Sequence, residues 1–238
     1  MLSLREDMHV HSTVSDGKNE LEENLAEAEA LSLTRFGCVE HVRLDTAWVP
    51  EYVARVERAR SQFGLEIWCG VEAKLLDQRG TLDMPEDLTG VDRVYVADHR
   101  FPLGDACFRP IEIKQKLESG ELTRAQCFDA LIESTLNAIH RYPNLVIAHL
   151  FSILPKLGFE ESQVPRSAIA ELARACAATG TLIEVDERWR SPSYGTVRIF
   201  VQHGVPVLCS SDAHRRENIG RYTHNALVAG ALLGAAAA

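Results

Sequence analysis

Short apolar runs alternate with longer stretches of helical periodicity almost from one end of the chain to the other. The runs Asp7–Val10, Arg35–Val39, Glu66–Val71, Arg93–Ala97, Leu145–Ala148, Thr181–Val185 and Pro206–Cys209 have the length and apolar content of buried strands. Between them, Leu21–Leu33, Glu51–Phe63, Arg124–Arg141, Arg166–Ala178 and Tyr194–His203 read as helices; Ile169, Leu172 and Ala173, for example, share one face. Thr179–Gly180 and His203–Gly204 mark two helix stops, glycine being the residue that turns the chain out of a helix. Repeated β–α units predict an α/β fold, a parallel sheet with helices outside it, either open or closed into a barrel. Histidines stand where a glycine-rich phosphate loop would follow the first strand, which weakens a dinucleotide-binding reading. Asp77–Gly90, Phe101–Gly120, Phe151–Pro165 and Asp186–Ser193 lack clear periodicity and are expected to be loops. Nothing divides the 238 residues, so one domain is expected over 1–238, with an Ala-rich segment at 225–238.

Polar residues recur where the predicted strands end, which is where a parallel barrel builds its site. Alternate side chains of a strand share a face, so His9 and His11 point one way while Met8 and Val10 pack oppositely. Asp16-Gly17 then supplies a carboxylate in a turn. Later strand ends carry Glu40-His41, Gly70-Val71-Glu72, Ala97-Asp98-His99, Ala148-His149, Glu184-Val185-Asp186 and Ser211-Asp212-Ala213-His214. Any one of these has a structural explanation. Six of nine histidines at such positions point to a shared metal site, because several buried imidazoles and carboxylates are costly unless a cation pairs them. His140 and His203 fall near helix C-termini and His224 follows no pattern, so these three are read as structural.

Charge narrows the partners. Asp and Glu number 34 against 25 Lys and Arg, a formal charge of −9, which argues against a long nucleic acid held through its phosphates. Three divalent ions would offset two thirds of that excess and leave a small anionic substrate admissible. Six scattered cysteines with no C-x-x-C pair suggest buried free thiols in a reducing compartment. Arg5, Glu6 and Asp7 interrupt any signal peptide, and Asn225–Ala238 is too short and small-sided for a membrane span, so a cytoplasmic protein with no membrane partner is expected.

The stretch Asp7-Met8-His9-Val10-His11-Ser12, continuing to Ser15-Asp16-Gly17, resembles the first motif of the PHP (polymerase and histidinol phosphatase) domain family. Glu40-His41, Gly70-Val71-Glu72, His99, Ala148-His149 and Ser211-Asp212-Ala213-His214 resemble its later motifs in order, over nearly the whole chain. His99 departs from the pattern, sitting in Asp98-His99-Arg100 rather than after a small residue. The resemblance implies a distorted (β/α)7 barrel and a trinuclear site. His9, His11, Glu72 and Asp212 would hold the first ion; Asp16, His41 and His214 the second; Glu72, His99 and His149 the third. Two to three divalent transition-metal ions are implied, and the mixed ligand set suits zinc, manganese or iron equally. Asp7 and Glu40, beside the ligands, would either orient imidazole N–H groups or lie exposed.

The activity so implied is hydrolysis of a small phosphomonoester, histidinol phosphate being one candidate, by a hydroxide bridging the ions. Glu72, Asp212 and His214 would stand at the reacting centre, Asp212 accepting or relaying a proton. Arg43, Arg100, Lys156, Arg188, Arg190 and Arg215 lie near strand ends and are candidate phosphate clamps, with Arg188-Trp189-Arg190 offering guanidinium and aromatic ring together. The apolar stretch Phe151–Leu157 would either cover the site or belong to the core. Cleavage of phosphodiesters in nucleotides or short oligonucleotides needs the same metals in a longer groove. Amide hydrolysis needs fewer ions, and a non-catalytic regulatory domain would be expected to have lost ligands. Oligomeric state is open at this level.

Overall fold

The computed structural model describes residues 2–236. In chain order the first strands are β1 (Glu6–Val10), β2 (Arg35–His41), β3 (Glu66–Lys74) and β4 (Arg93–Ala97). An antiparallel hairpin, β5 (Phe101–Leu103) and β6 (Ala106–Phe108), stands outside the main sheet. Then come β7 (Leu145–Ile147), β8 (Leu182–Asp186) and β9 (Val207–Ser210). The seven-stranded sheet has the order β1-β2-β3-β4-β7-β8-β9, all parallel, and all seven correspond to runs predicted from the apolar pattern. Helices α1 (Leu21–Ala30), α2 (Val49–Arg60), α3 (Pro110–Glu118), α4 (Arg124–Arg141), α5 (Leu154–Leu157), α6 (Arg166–Thr179), α7 (Tyr194–Gln202) and α8 (His224–Ala236) connect or flank them.

The sheet curls into a nearly closed barrel whose seam lies between β1 and β9. Carboxylates, not a backbone ladder, bridge its lower part. Cys209 N–H donates to Glu6 Oε1 (3.1 Å), Ser211 N–H to Asp7 Oδ1 (2.9 Å) and Gly220 N–H to Asp7 Oδ2 (3.0 Å). Main-chain pairing takes over above, where Val10 bridges Ala213 and His11 N–H reaches the Ala213 carbonyl at 2.9 Å. Met8, Val39, Tyr95, Val146, Leu182 and Leu208, from six strands, fill the barrel interior, and the Tyr95 hydroxyl donates to the Met8 carbonyl. Val10, Phe36, Cys38, Ile67, Val94, Val96 and Ile147 face outward onto the helices. Each such side chain, fully buried, contributes about 1.5–3 kcal/mol of transfer free energy.

Three expectations are corrected. The strict alternation along β1 fails, since a β-bulge between Asp7 and Val10 sends Met8 into the barrel while Val10 packs outward. His9 and His11 still face the same centre. The Phe101–Gly120 stretch holds the β5–β6 hairpin and α3, not a loop; three-residue strands, and a helix with Ile113 as its single buried residue, leave too little apolar period to read. Phe151–Pro165 holds α5, and Phe151, Ile153, Leu154 and Leu157 are buried in the core rather than covering the site. The Ala-rich end forms α8 as far as Ala236; its last two residues lie outside the described residues. No helix among the described residues is long and apolar enough to cross a membrane.

Candidate metal centre

All nine residues marked by the sequence as metal ligands converge at the C-terminal end of the barrel. β1 and its continuation bring His9 and His11, both fully buried. The parallel register of β2 with β3 sets His41 beside Glu72. His99 follows β4, His149 follows β7, and Asp212 and His214 follow β9. Two of these candidates, His149 (φ 29°) and Asp212 (φ 49°), hold left-handed backbone that costs a non-glycine residue on the order of 1–3 kcal/mol, a cost tolerated mainly at functional sites. Asp16 arrives by a tight turn. A Cβ on Gly17 would come within 2.5 Å of the His11 carbonyl oxygen, so only glycine lets the chain fold back there.

Glu72 is the hub. Its Oε2 lies 2.8 Å from His41 Nδ1, 3.5 Å from His9 Nε2 and 3.6 Å from His11 Nε2. Its Oε1 lies 3.0 Å from His149 Nε2 and 3.1 Å from His99 Nε2. His11 Nε2 is also 3.2 Å from Asp212 Oδ1, and Asp16 is 3.2 Å from His214 Nε2 and 3.6 Å from His41 Nε2. Four groups could each hold an ion: His9 with His11 and Asp212; His11 with Asp16, His41 and His214; His41 with Glu72 and His99; and, deeper in the barrel, His9 with Glu184 and Asp186.

The hydrogen bonds behind the imidazoles test whether cations fit. Both Glu184 oxygens lie within reach of His9 Nδ1, at 3.0 and 3.2 Å, so Nδ1–H donates there and Nε2 is the nitrogen that faces the centre. It stands 3.1 Å from His11 Nε2. His149 Nδ1 lies 3.0 Å from the Ser152 hydroxyl, which itself donates to Asp98 Oδ1 at 2.7 Å; His149 Nε2 then faces a Glu72 oxygen at 3.0 Å. Buried His11 Nδ1 has no hydrogen-bond partner, and Glu72 Oε2 meets only imidazole nitrogens. So many imidazoles gathered on one buried carboxylate need either protons or cations between them, and divalent ions of the hardness that imidazole and carboxylate select fit the donor set.

Proton affinities follow the same logic. Burial alone would raise the Glu72 carboxyl, yet the charges of His99 and His9 and the bonds from His149 and His41 hold it well below the usual carboxylate range. For Asp212, burial is likewise outweighed, by the His11 bond and the neighbouring imidazoles, and the carboxyl is held low. Burial, with His9 and His41 close by, depresses His11 to about 4, leaving it a neutral ligand at neutral pH. His9 goes the other way: burial opposes its charge, but Glu184 and Glu72 overcome this and raise it well above 6.5.

The partners of the imidazoles are not the expected ones. Asp7 holds the barrel seam through Ser211 and Gly220, and Glu40 accepts the Ser12 N–H at 2.9 Å with the Ser12 and Ser15 hydroxyls. Glu184 and the Asp98–Ser152 pair do the orienting instead. Both carboxylates stand in the strand-end motifs of the sequence; nothing in residue spacing says which neighbour of a ligand turns inward. Glu184 also accepts the His149 N–H at 2.8 Å, so one carboxylate ties together two candidate ligands from β1 and the end of β7.

Two clefts meet at the cluster and share Asp16, Arg188, Asp212 and His214. The first, of about 680 Å³, adds Trp48, Trp189, Val14, Val42, Arg43 and Arg100 to the ligands. The second, of about 580 Å³, is lined by Lys18, Glu187, Ser211, Arg215, Asn218 and Arg221. Arg188 reaches furthest inward, its Nη1 donating to His214 Nδ1 (2.8 Å) and Asp212 Oδ2 (3.3 Å). Trp189 Nε1–H donates to Asp212 Oδ2 at 2.9 Å, and Lys156 stacks on the Trp189 ring with Nζ 4.0 Å from its centroid. Of the cations marked by the sequence, Arg43, Arg100, Arg188 and Arg215 line a cleft; Arg190 is exposed and lines neither, and Lys156 stands behind Trp189. His203 bonds the Ile199 carbonyl and His224 the Pro192 carbonyl, away from the centre.

Comparison with known proteins follows the same lines. The sequence matches the PHP domain family over residues 7–188. A search of curated proteins found no match. Among solved structures, the chain resembles histidinol phosphate phosphatase from Lactococcus lactis subsp. lactis Il1403, solved with zinc, L-histidinol and phosphate, at TM-score 0.71 and 18% identity over 99% of this chain and 94% of that one. It also resembles a putative histidinol phosphatase from Listeria monocytogenes at TM-score 0.69 and 16% identity, over 91% of this chain and 97% of that one. At such identities the likeness concerns the fold, and it is the barrel with seven parallel strands that is shared. By the match over most of its length, the chain belongs to the PHP domain family.

Proposed function

We propose that this chain hydrolyses a small phosphate monoester at a centre of two or three divalent ions. The observation that carries the reading is the environment of Glu72, one buried carboxylate facing five imidazoles at 2.8–3.6 Å. His9, His11, Asp212 and Glu72 would hold one ion, Asp16, His41 and His214 a second, and Glu72 with His99 and His149 a third. When bound, such ions supply Lewis acidity at phosphorus and bring the pKa of water toward neutrality. Zinc, present in the Lactococcus protein, is the first ion to test, beside manganese and iron.

The chain's own groups then have defined work. Arg188, beside Asp212 and His214, meets the phosphate oxygens as negative charge builds on them. Asp212, kept ionised and steadied by Trp189, takes a proton from the attacking water. The new O–P bond forms as the bond from phosphorus to the alcohol oxygen breaks; its electron pair leaves with that oxygen, which is protonated to the free alcohol, and inorganic phosphate remains. Trp48, Trp189, Val14 and Val42 give the organic group an apolar wall. Free thiols at all six cysteines agree with a cytoplasmic location. The −9 formal charge disfavours long nucleic acid as substrate.

The test is metal content by mass spectrometry on the purified protein, with p-nitrophenyl phosphate and bis(p-nitrophenyl) phosphate assayed on the same sample. Two to three transition-metal ions per chain with faster monoester turnover is the expected result. Preference for the diester overturns the monoester reading, and absence of activity after zinc, manganese and iron are restored overturns the enzyme.

A further inference from the structure

The second cleft is built differently from the first. It has no Phe, Tyr or Trp in its lining; its walls carry Lys18, Arg188, Arg215 and Arg221 in a protein of net charge −9. Its acidic residues are all engaged elsewhere. Glu187 accepts the backbone N–H groups of Thr223 (2.9 Å), His224 (3.0 Å) and Asn225 (3.0 Å), capping the start of α8. Asp16 and Asp212 face the imidazoles of the metal centre. Lys18 and Arg215 have no ion-pair partner among the described residues, and Arg221 touches Glu27 only at 3.9 Å. Both free cations are anchored at the centre: Lys18 N–H bonds the His214 carbonyl at 2.8 Å, and Arg215 is the next residue after His214.

A phosphate seated on the ions and Arg188 has its charge met there. Further cations, free of carboxylates and a residue or two beyond the ligands, are matched by a second anion and not by a neutral or cationic group. Building on the phosphoesterase reading, we propose that the cleft around Lys18, Arg215, Asn218 and Arg221 is a subsite for a second anionic group of the substrate. The substrate class is then a phosphate monoester whose alcohol bears a carboxylate or another phosphate, and an amine-bearing alcohol is disfavoured. Guanidinium offers either anion the same bidentate donors, so the two sources share one chemistry.

The experiment compares sn-glycerol 3-phosphate, 3-phosphoglycerate and glycerol 1,3-bisphosphate on the metal-loaded protein. They differ in whether the far carbon carries a hydroxyl, a carboxylate or a phosphate. Expected is kcat/KM higher by about tenfold or more for one or both doubly anionic esters, with KM carrying the difference and 0.5 M salt erasing most of it. Which ester leads tells carboxylate from phosphate. Arg215→Ala and Lys18→Glu should each reduce this preference several-fold. Equal kcat/KM for all three esters, or a preference unchanged in both variants, overturns the subsite. If none of the three nor p-nitrophenyl phosphate is hydrolysed, the phosphoesterase reading has failed instead. Calorimetric binding of the same esters then still decides the subsite by the same ratio.

Discussion

Asp7 and Glu72 are both carboxylates buried in one barrel wall, and they are satisfied in opposite ways. Asp7 accepts two backbone N–H groups, from Ser211 and Gly220, and closes the seam between β1 and β9. The Glu72 carboxylate meets no backbone donor among the described residues and is ringed by imidazole nitrogens. Amide donors are fixed and permanent, so the seam is complete in the chain alone. The centre depends on imidazoles whose protons come and go, and whose places cations can take. The same split separates close neighbours along the chain: His9 belongs to the centre and Asp7 to the seam, His41 to the centre and Glu40 to the Ser12–Ser15 turn. Burial of a carboxylate therefore says little about role; the kind of donor it meets says nearly everything.

The largest effect should come from Glu72→Gln. Losing the one charge shared by five imidazoles should strip the protein of metal and lower turnover by on the order of 10³-fold or more, roughly 4 kcal/mol of barrier. The barrel should persist, since no strand pairing depends on the Glu72 side chain. Metal analysis and circular dichroism on one sample check both halves. Full turnover with normal metal content would remove Glu72 from the centre.

The residues behind that prediction are legible in the amino-acid sequence, for a physical reason. Ligands sit at strand ends because parallel strands all finish on one side, so seven apolar runs suffice to place His9, His41, Glu72, His149 and Asp212 together. The alternation rule holds for His9 and His11 yet fails for Met8, because the bulge in β1 is set by its fit to β2 and not by composition. Adjacency alone suggests Asp7 and Glu40 as partners of imidazoles. The true partner of His9 is Glu184, 175 positions away, and only the closed barrel brings the two together. The hairpin and α3 escape for a plainer reason: elements that bury one or two side chains leave no period.

The seam can be probed by pH in metal-free protein. Burial raises Asp7 from 3.8 to about 6, against the backbone bonds that favour its charged form. A carboxyl raised on folding keeps its proton in a window where the unfolded chain has released it. Its contribution to stability is thus greatest below about pH 3.8, declines as pH climbs to about 6, and is level above. The decline is about 3 kcal/mol. Other groups titrate in the same range, so the contrast with Asp7→Asn isolates the effect. The stability difference, wild type minus variant, should shrink by about 2.4 kcal/mol of that between pH 4 and 7 in urea melts. A constant difference would mean that Asp7 is not held as described.

Glu184→Gln sharpens the boundary between the two kinds of carboxylate, because Glu184 has one of each donor, the His149 N–H and the His9 ring. Glutamine can keep the first bond and accept from the ring, but it gives up the charge that makes His9 a better ligand. Metal affinity, read by chelator competition, should drop by roughly ten- to a hundredfold with little loss of folding stability. Glu40→Gln, on the turn side, should leave affinity closer to wild type. An equal loss in both would erase the distinction between orienting a ligand and shaping a turn.

The smallest effect is expected at Asp212, which stands between the two classes. One oxygen faces His11 at 3.2 Å, while the other accepts from the Trp189 indole at 2.9 Å and from Arg188 at 3.3 Å. Trp189→Phe removes a single neutral donor and keeps most of the apolar wall that Lys156 stacks on. A hydrogen bond to an ionised carboxylate contributes about 1.5–3 kcal/mol, of which Arg188 and His11 keep part for Asp212, so kcat should fall by about tenfold or less. Metal content should not change, since His11 and the other ligands are untouched. Without the indole, the Asp212 carboxylate is a stronger proton acceptor, and the acidic limb of the pH–rate profile should move upward. A shift in that limb with metal content unchanged would place Asp212 in proton transfer; metal loss without a shift would make it a ligand and nothing more.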